Sequence, residues 1–188
     1  MGLRGLAFLM FLYGQVAVGQ LPTRYDQFEI KNGDLVWTNT YRYEGKQDSL
    51  RAAVVQMLKS KYYTFNVIRN EIGYNGELKH YKVDCKKYGR SYINTPRLYW
   101  EGEWTGKFKV EVADQYYQVT VYALYYESMQ KSTDYYKTDR LIKGRFIDAV
   151  TKKRNTLLRK NEFQNLALMG LSLKDAFRLL RTNSQESD

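Results

Sequence analysis

The sequence predicts an α+β fold: an antiparallel sheet with helices on one face, followed by a C-terminal helical extension. Three observations carry that reading. Several short runs alternate apolar and polar residues with period two, turn residues separate them, and one amphipathic helical segment sits between the first hairpin and the later strands. A chain of 188 residues suits one domain with a small addition, and 44% hydrophobic residues supply a core for it. The chain is unusual in its 18 tyrosines and its net charge of +10.

The first hairpin is "QFEIKNGDLVWTNTYRYEG", turning at Asn32-Gly33, a dipeptide suited to the tight turns that join antiparallel strands. In "KQDSLRAAVVQMLKSK", Leu50, Ala53, Val54, Met57 and Leu58 recur at helical spacing, with Asp48 or Ser49 as the expected cap. Strands are expected at Tyr62–Arg69, at Glu77–Lys86 after a turn "GYNG", and at Leu98–Trp104. A last hairpin, "GKFKVEVADQYYQVTVYALYYE", should turn at Asp114-Gln115. Strict alternation along it puts Phe108, Val110, Val112, Tyr117, Val119, Val121, Ala123 and Tyr125 on the core face. Lys107, Lys109, Tyr116, Tyr122 and Tyr126 fall on the other.

After Lys131 the pattern changes. Ile142, Phe146, Val150 and Leu157 fit one helical stripe among many Lys and Arg, Gly170 reads as a helix stop, and Ser172 opens a final helix. The terminal "TNSQESD" is a polar tail expected to be disordered. The other end reads as an export leader. Arg4 precedes an apolar run from Leu6 to Tyr13, and Ala17 and Gly19 stand where a signal peptidase takes small side chains. Cleavage after Gly19 would release a periplasmic or extracellular chain without a transmembrane segment. The expected organisation is therefore 1–19 leader, 20–130 α+β domain and 131–188 basic helical extension.

"NGDLVW" (Asn32 to Trp37), "GELKHYKVD" (Gly76 to Asp84) and "WTGKFKVEVADQYYQVTV" (Trp104 to Val121) carry a family resemblance. Over residues 28–130 the chain is similar to a family of exported bacterial proteins of unknown function with a TATA-binding-protein-like fold. The resemblance implies a curved antiparallel sheet with helices on one side. It brings no catalytic residue or cofactor to carry over. Asp114-Gln115 departs from the family's usual glycine-containing turn.

The residues themselves exclude several chemistries. With His80 as the single histidine and no Gly-x-Ser-x-Gly elbow, a serine-hydrolase triad has no support. Cys85 is the single cysteine, so an internal disulfide and a cysteine zinc site are ruled out; its alternation with Tyr81 and Val83 makes it a buried small hydrophobe. In "WEGEW", Glu101 and Glu103 would share one strand face. That arrangement fits two solvated acids at a Gly102 bulge, or the carboxylate pair of a small hydrolase acting on envelope glycans. Lys143, Arg145, Lys152, Lys153, Arg154, Arg159 and Lys160 could meet an anionic lipid surface; nucleic acid is disfavoured for an exported chain. Tyr116, Tyr122 and Tyr126 with Lys107 and Lys109 are either sheet stabilisers or a surface for sugars or peptides. The expectation is a non-catalytic envelope protein, needing no cofactor, whose partner is an envelope protein, a glycan or anionic lipid.

Overall fold

A long strand near the chain's middle, held between several partners, organises the computed structural model, which describes residues 24–25, 27–130, 138–152, 157–158 and 162–179. The elements in order are β1 (Arg24–Tyr25), β2 (Phe28–Lys31), β3 (Asp34–Arg42), α1 (Gln47–Ser60), β4 (Thr64–Arg69), β5 (Gly73–Tyr81), α2 (Arg97–Trp100), β6 (Glu103–Ala113) and β7 (Tyr116–Gln130). They continue with β8 (Arg140–Arg145), α3 (Phe146–Val150), β9 (Thr151–Lys152), β10 (Leu157–Leu158) and α4 (Phe163–Ala176). Among the described residues, eight strands form one antiparallel sheet in the order β1-β2-β3-β7-β6-β5-β4, with β8 beside the far half of β7. Helices pack on one face, making an α+β fold with an open, curved sheet. The leader 1–19 and the polar tail lie outside the described residues.

Local chemistry explains the first elements. Asn32 and Gly33 both take positive φ, 51° and 74°, so the β2–β3 hairpin closes where the sequence places it. Helix α1 buries Leu50, Val54, Met57 and Leu58 as its spacing requires. Its cap differs from expectation. The helix starts at Gln47, and Ser49 Oγ donates back to the Lys46 carbonyl (2.7 Å) instead of accepting from a free backbone N–H. The "GYNG" turn is also displaced. Asn70 makes the turn, its side chain accepting from Ile72 N (3.1 Å), and Gly73 and Gly76 belong to β5. A Cβ on them would lie 1.8 Å from the Val110 carbonyl oxygen and 2.4 Å from the Phe108 ring, so these glycines serve close approach to β6. The expected strand Leu98–Trp104 divides into α2 and the start of β6.

The central strand changes partners. Tyr116–Val121 of β7 lies between β3 and β6, and from Tyr125 onward β8 occupies the side that β3 leaves. The change falls at Ala123, whose φ is +50° and whose N–H donates to Asp34 Oδ2 (2.9 Å). Matching irregularities occur at His80 in β5 (φ 55°) and Asn66 in β4 (φ 50°). Bulges in neighbouring strands bend a sheet and strengthen its twist. The bulge also inverts side-chain phase. Tyr117, Val119 and Val121 are buried as expected, but Leu124 and Ser128 continue the inner face. Tyr125 turns outward, and Tyr126 turns inward against Trp104 (ring centroids 5.7 Å).

The basic segment is not one helix. Its first part is β8, because the unpaired backbone of β7 takes it as a neighbour through six residue pairs from Tyr125↔Arg145 to Gln130↔Arg140. A weak helical period yields to that ladder. The single turn α3 then buries Phe146, Ile147 and Val150. Nor does Gly170 stop a helix. Helix α4 runs through it, and Ser172 is buried within the helix, sharing a hydrogen bond with the Tyr81 hydroxyl.

Tyrosines of the sheet side grip the end of α4. Tyr41 donates to the Lys174 carbonyl (2.8 Å), Tyr63 to Ala176 (3.1 Å), Tyr117 to Phe177 (2.8 Å) and Tyr88 to the Asp175 carboxylate (2.9 Å). The last carbonyls of a helix lack intrahelical donors, and burying them unmet would be costly. Burial raises the pKa of Tyr41, Tyr81 and Tyr88 far above the ordinary phenol, and pushes Tyr63 and Tyr117 up to about 12.

Two predictions follow from this packing. A raised folded-state phenol pKa contributes stability that is complete below the unfolded value of 10.0 and is lost as pH rises toward about 12. The melting temperature should therefore hold to about pH 10 and fall steeply above it, in step with a late phase of phenolate absorbance. At Gly170 a Cβ would meet Phe28, Gln27 and Trp37 at 3.5–3.7 Å, ordinary contact distances. Gly170→Ala should stabilise the protein by up to about 1 kcal/mol in a urea titration, from helix propensity.

Candidate functional site

The sheet face opposite the helices is uncovered among the described residues. Register sets its rows. Lys107 lies beside Tyr122, Lys109 beside Thr120, Glu111 beside Gln118, and Ala113 beside Tyr116. On the other flank of β7, Thr38 meets Thr120, Thr40 meets Gln118, and Arg42 meets Tyr116. Four of the five surface residues expected from the sequence, Tyr116, Tyr122, Lys107 and Lys109, thus share this face. Tyr126 does not, and Tyr125, 46% exposed, replaces it through the Ala123 bulge. A signal was available: the next bulky aliphatic residue after Val121 is Leu124, three residues on, which breaks a period of two.

Charges on this face are mostly paired. Lys109 meets Glu111 (2.8 Å), Lys79 meets Glu77 (2.7 Å), and Lys143 meets Glu127 (2.6 Å). Glu103 takes both His80 Nδ1 (2.9 Å) and Lys82 (3.1 Å). The Lys79 ammonium holds Glu77, and the His80 ring holds Glu103, below the usual carboxylate range. Such exposed pairs contribute little stability each, yet they leave the face with small net charge. Lys107 and Arg42 carry no ion pair among the described residues.

Tyr116, Tyr122 and Tyr125 form no hydrogen bond among the described residues, unlike the tyrosines that hold α4. One side of β7 therefore spends its hydroxyls on the fold. The other side presents rings and hydroxyls to solvent beside threonine, glutamine and lysine, an amphipathic strip able to stack on a ligand and hydrogen-bond to it.

The other sequence-derived candidates separate. Glu101 and Glu103 do not share a strand face: Glu101 follows α2 and accepts from the Tyr92 hydroxyl (2.5 Å), whereas Glu103 opens β6 with its cationic partners. Gly102 between them packs so closely on Leu98 that a Cβ would lie 2.0 Å from its carbonyl oxygen, which prevents a regular strand there. Glu103, held ionised, is a poor general acid. Cys85 is buried with Sγ 3.3 Å from the Tyr99 carbonyl, and burial raises its thiol pKa, as suits a structural cysteine. Of the anionic-surface candidates, Lys143 is engaged by Glu127 and Arg145 by Asp148 (2.8 Å). The Lys152 side chain, Lys153, Arg154, Arg159 and Lys160 lie outside the described residues. No cluster of three or more His, Cys, Asp or Glu suited to a metal occurs among the described residues. None of their helices is long and apolar enough to cross a membrane. An open cleft of about 190 Å³ lies between Tyr63, Tyr81, Tyr88 and the end of α4, but Lys87 and Tyr88 there are tied to Asp175, and Tyr81 to Ser172.

No family model and no curated protein matches the chain. Two solved structures are similar to it. One is a TBP-like protein from Parabacteroides distasonis ATCC 8503, with 15% identity and a TM-score of 0.47, covering 79% of this chain and 95% of that one. The other is a DUF4468 family protein from Bacteroides ovatus ATCC 8483, with 13% identity and a TM-score of 0.41, covering 86% and 97%.

The separation of the two acids is testable. Replacing both, Glu101→Gln with Glu103→Gln, removes exposed contacts only, so unfolding free energy should fall by less than about 1 kcal/mol per site in a denaturant titration. A loss several times larger would put these acids in a network essential to the fold.

Proposed function

We propose that the protein is an exported, non-catalytic component of the bacterial envelope that works by binding through the uncovered face of its sheet. The observation that carries this reading is the division of tyrosines along β7. Tyr117 faces inward and bonds the end of α4, while Tyr116 and Tyr125 are exposed on the outer face and Tyr122 lies half-buried there beside Lys107, all three with hydroxyls unengaged among the described residues. Val and Thr suit a strand as Tyr does but carry no ring and expose no stacking surface. Export is supported by the pattern of Arg4, the apolar run Leu6 to Tyr13, and Ala17 with Gly19. The non-catalytic part is supported by the separate engagement of the two acids, Glu101 by the Tyr92 hydroxyl and Glu103 by His80 and Lys82, and by the lowered pKa of Glu103.

Two measurements test the proposal. The intact mass of the protein secreted by a bacterial host should correspond to a chain beginning at Gln20; an uncleaved chain retained in the cytosol would refute export. The mature chain should co-sediment with isolated cell envelopes, and Tyr122→Ala combined with Tyr125→Ala should release most of it to the supernatant while the melting temperature is kept. Undiminished sedimentation of that variant would remove the sheet face from the binding account.

A further inference from the structure

Resting on that reading, we propose that the ligand of the β7 strip is a linear, uncharged glycan, lying along the strand and stacked on Tyr122 and Tyr125. Charge decides first. The carboxylates of this face at Glu77, Glu103, Glu111 and Glu127 each hold a cation within 3.1 Å, so these lysines are already neutralised. A polyanion such as nucleic acid or an acidic lipid surface needs a row of uncompensated cations. Beside the strip only Lys107 and Arg42 lack an ion pair among the described residues, and they stand apart from each other, beside Tyr122 and Tyr116.

Shape decides next. An extended peptide adds to a sheet at an edge strand, where backbone groups are free. The backbone of β7 is bracketed on both sides, by β3 and β6 and then by β6 and β8, so the strip offers side chains alone. An amphipathic helix needs an apolar groove, and here threonine and glutamine occupy the middle of a strand face. A sugar chain matches what remains. Its rings have an apolar face for tyrosine, and its hydroxyls accept and donate to Thr38, Thr120 and Gln118. Across the bulge Tyr122 and Tyr125 stand opposite Lys107 and Thr105, two residues apart on β6, so they are spaced roughly 7 Å along the strand, within reach of neighbouring sugar units of one chain. The Ala123 bulge is what brings both rings to one face, since regular alternation would put them on opposite faces.

The test is native affinity electrophoresis of the full mature chain in gels containing soluble starch, yeast mannan, laminarin or hydroxyethylcellulose, each at low and high salt. Retardation in at least one, little changed by salt, is expected. Tyr125→Ala should weaken it about tenfold, and Tyr122→Ala with Tyr125→Ala further, while the Phe replacements keep most of it because stacking survives. Tyr125 is half exposed, so its single replacement leaves the core untouched. Passage through all four gels without retardation overturns the inference, and so does retardation that the Ala variants keep or that salt abolishes. If neutral glycans fail while tyrosine-dependent envelope binding persists, the sheet face remains the binding surface and only its glycan ligand is refuted.

Discussion

The architecture depends on the partner change of β7 at Ala123. One strand has to serve β3 over its first half and β8 over its second, while keeping β6 beside it for most of its length. A straight strand would hold one set of neighbours in one plane. A single extra residue lets the sheet bend and lets β8 enter where β3 ends. Left-handed backbone is unfavourable for alanine, and the Asp34 carboxylate offsets part of that cost by accepting the Ala123 N–H at 2.9 Å. Asp34 lies at the β2–β3 turn, so the first hairpin and the last long strand are fastened at one point.

The same bulge gives the tyrosines their two roles. Before it, Tyr117 stacks on Tyr41 at 4.7 Å, and both send their hydroxyls to the end of α4. Beyond it, Tyr126 completes an aromatic group with Trp104 and Phe146, in which the Trp104 and Phe146 rings meet edge to face at 5.0 Å. A phenylalanine core would bury equal area but could not meet the last carbonyls of a helix lying across the sheet. Tyrosine does both, which accounts for much of the tyrosine content on the inner side.

How far the sequence could be read follows from the range of each interaction. The Asn32-Gly33 turn, the buried stripe of α1 and the alternation of β6 depend on neighbours a few residues away, and all three were legible. The bulges at Asn66, His80 and Ala123 were not, because their conformations are imposed by pairing across the sheet. The strand identity of Arg140–Arg145 depends on β7, and a helical period in the same residues concealed it. The grip on α4 joins positions as far apart as Tyr41 and Lys174, and a tyrosine run carries no mark of which ring will find a helix terminus. For the candidate site, one missed bulge exchanged Tyr125 for Tyr126 and left the rest of the face in place.

A sheet covered on one side must still keep its other side from joining a second sheet or a passing chain. Alternating ion pairs do this here: Lys109–Glu111, Lys79–Glu77 and Lys143–Glu127 put solvated charge across the face, where apolar residues would invite association. Against that background, exposed aromatic residues are the exception that needs a cause. Isolated exposed apolar residues are ordinary on any protein surface. Exposed Tyr116 and Tyr125, however, follow one strand with half-buried Tyr122 between them, and Tyr122 and Tyr125 share a face only because the backbone departs from regular geometry at Ala123. The bulge is required by the partner change of β7; the tyrosines on either side of it are not. Threonine or lysine at those positions would satisfy the sheet and continue the solvated pattern of the neighbouring rows. Their presence at the one place where alternation fails is the strongest structural argument that this face has work beyond holding the sheet together.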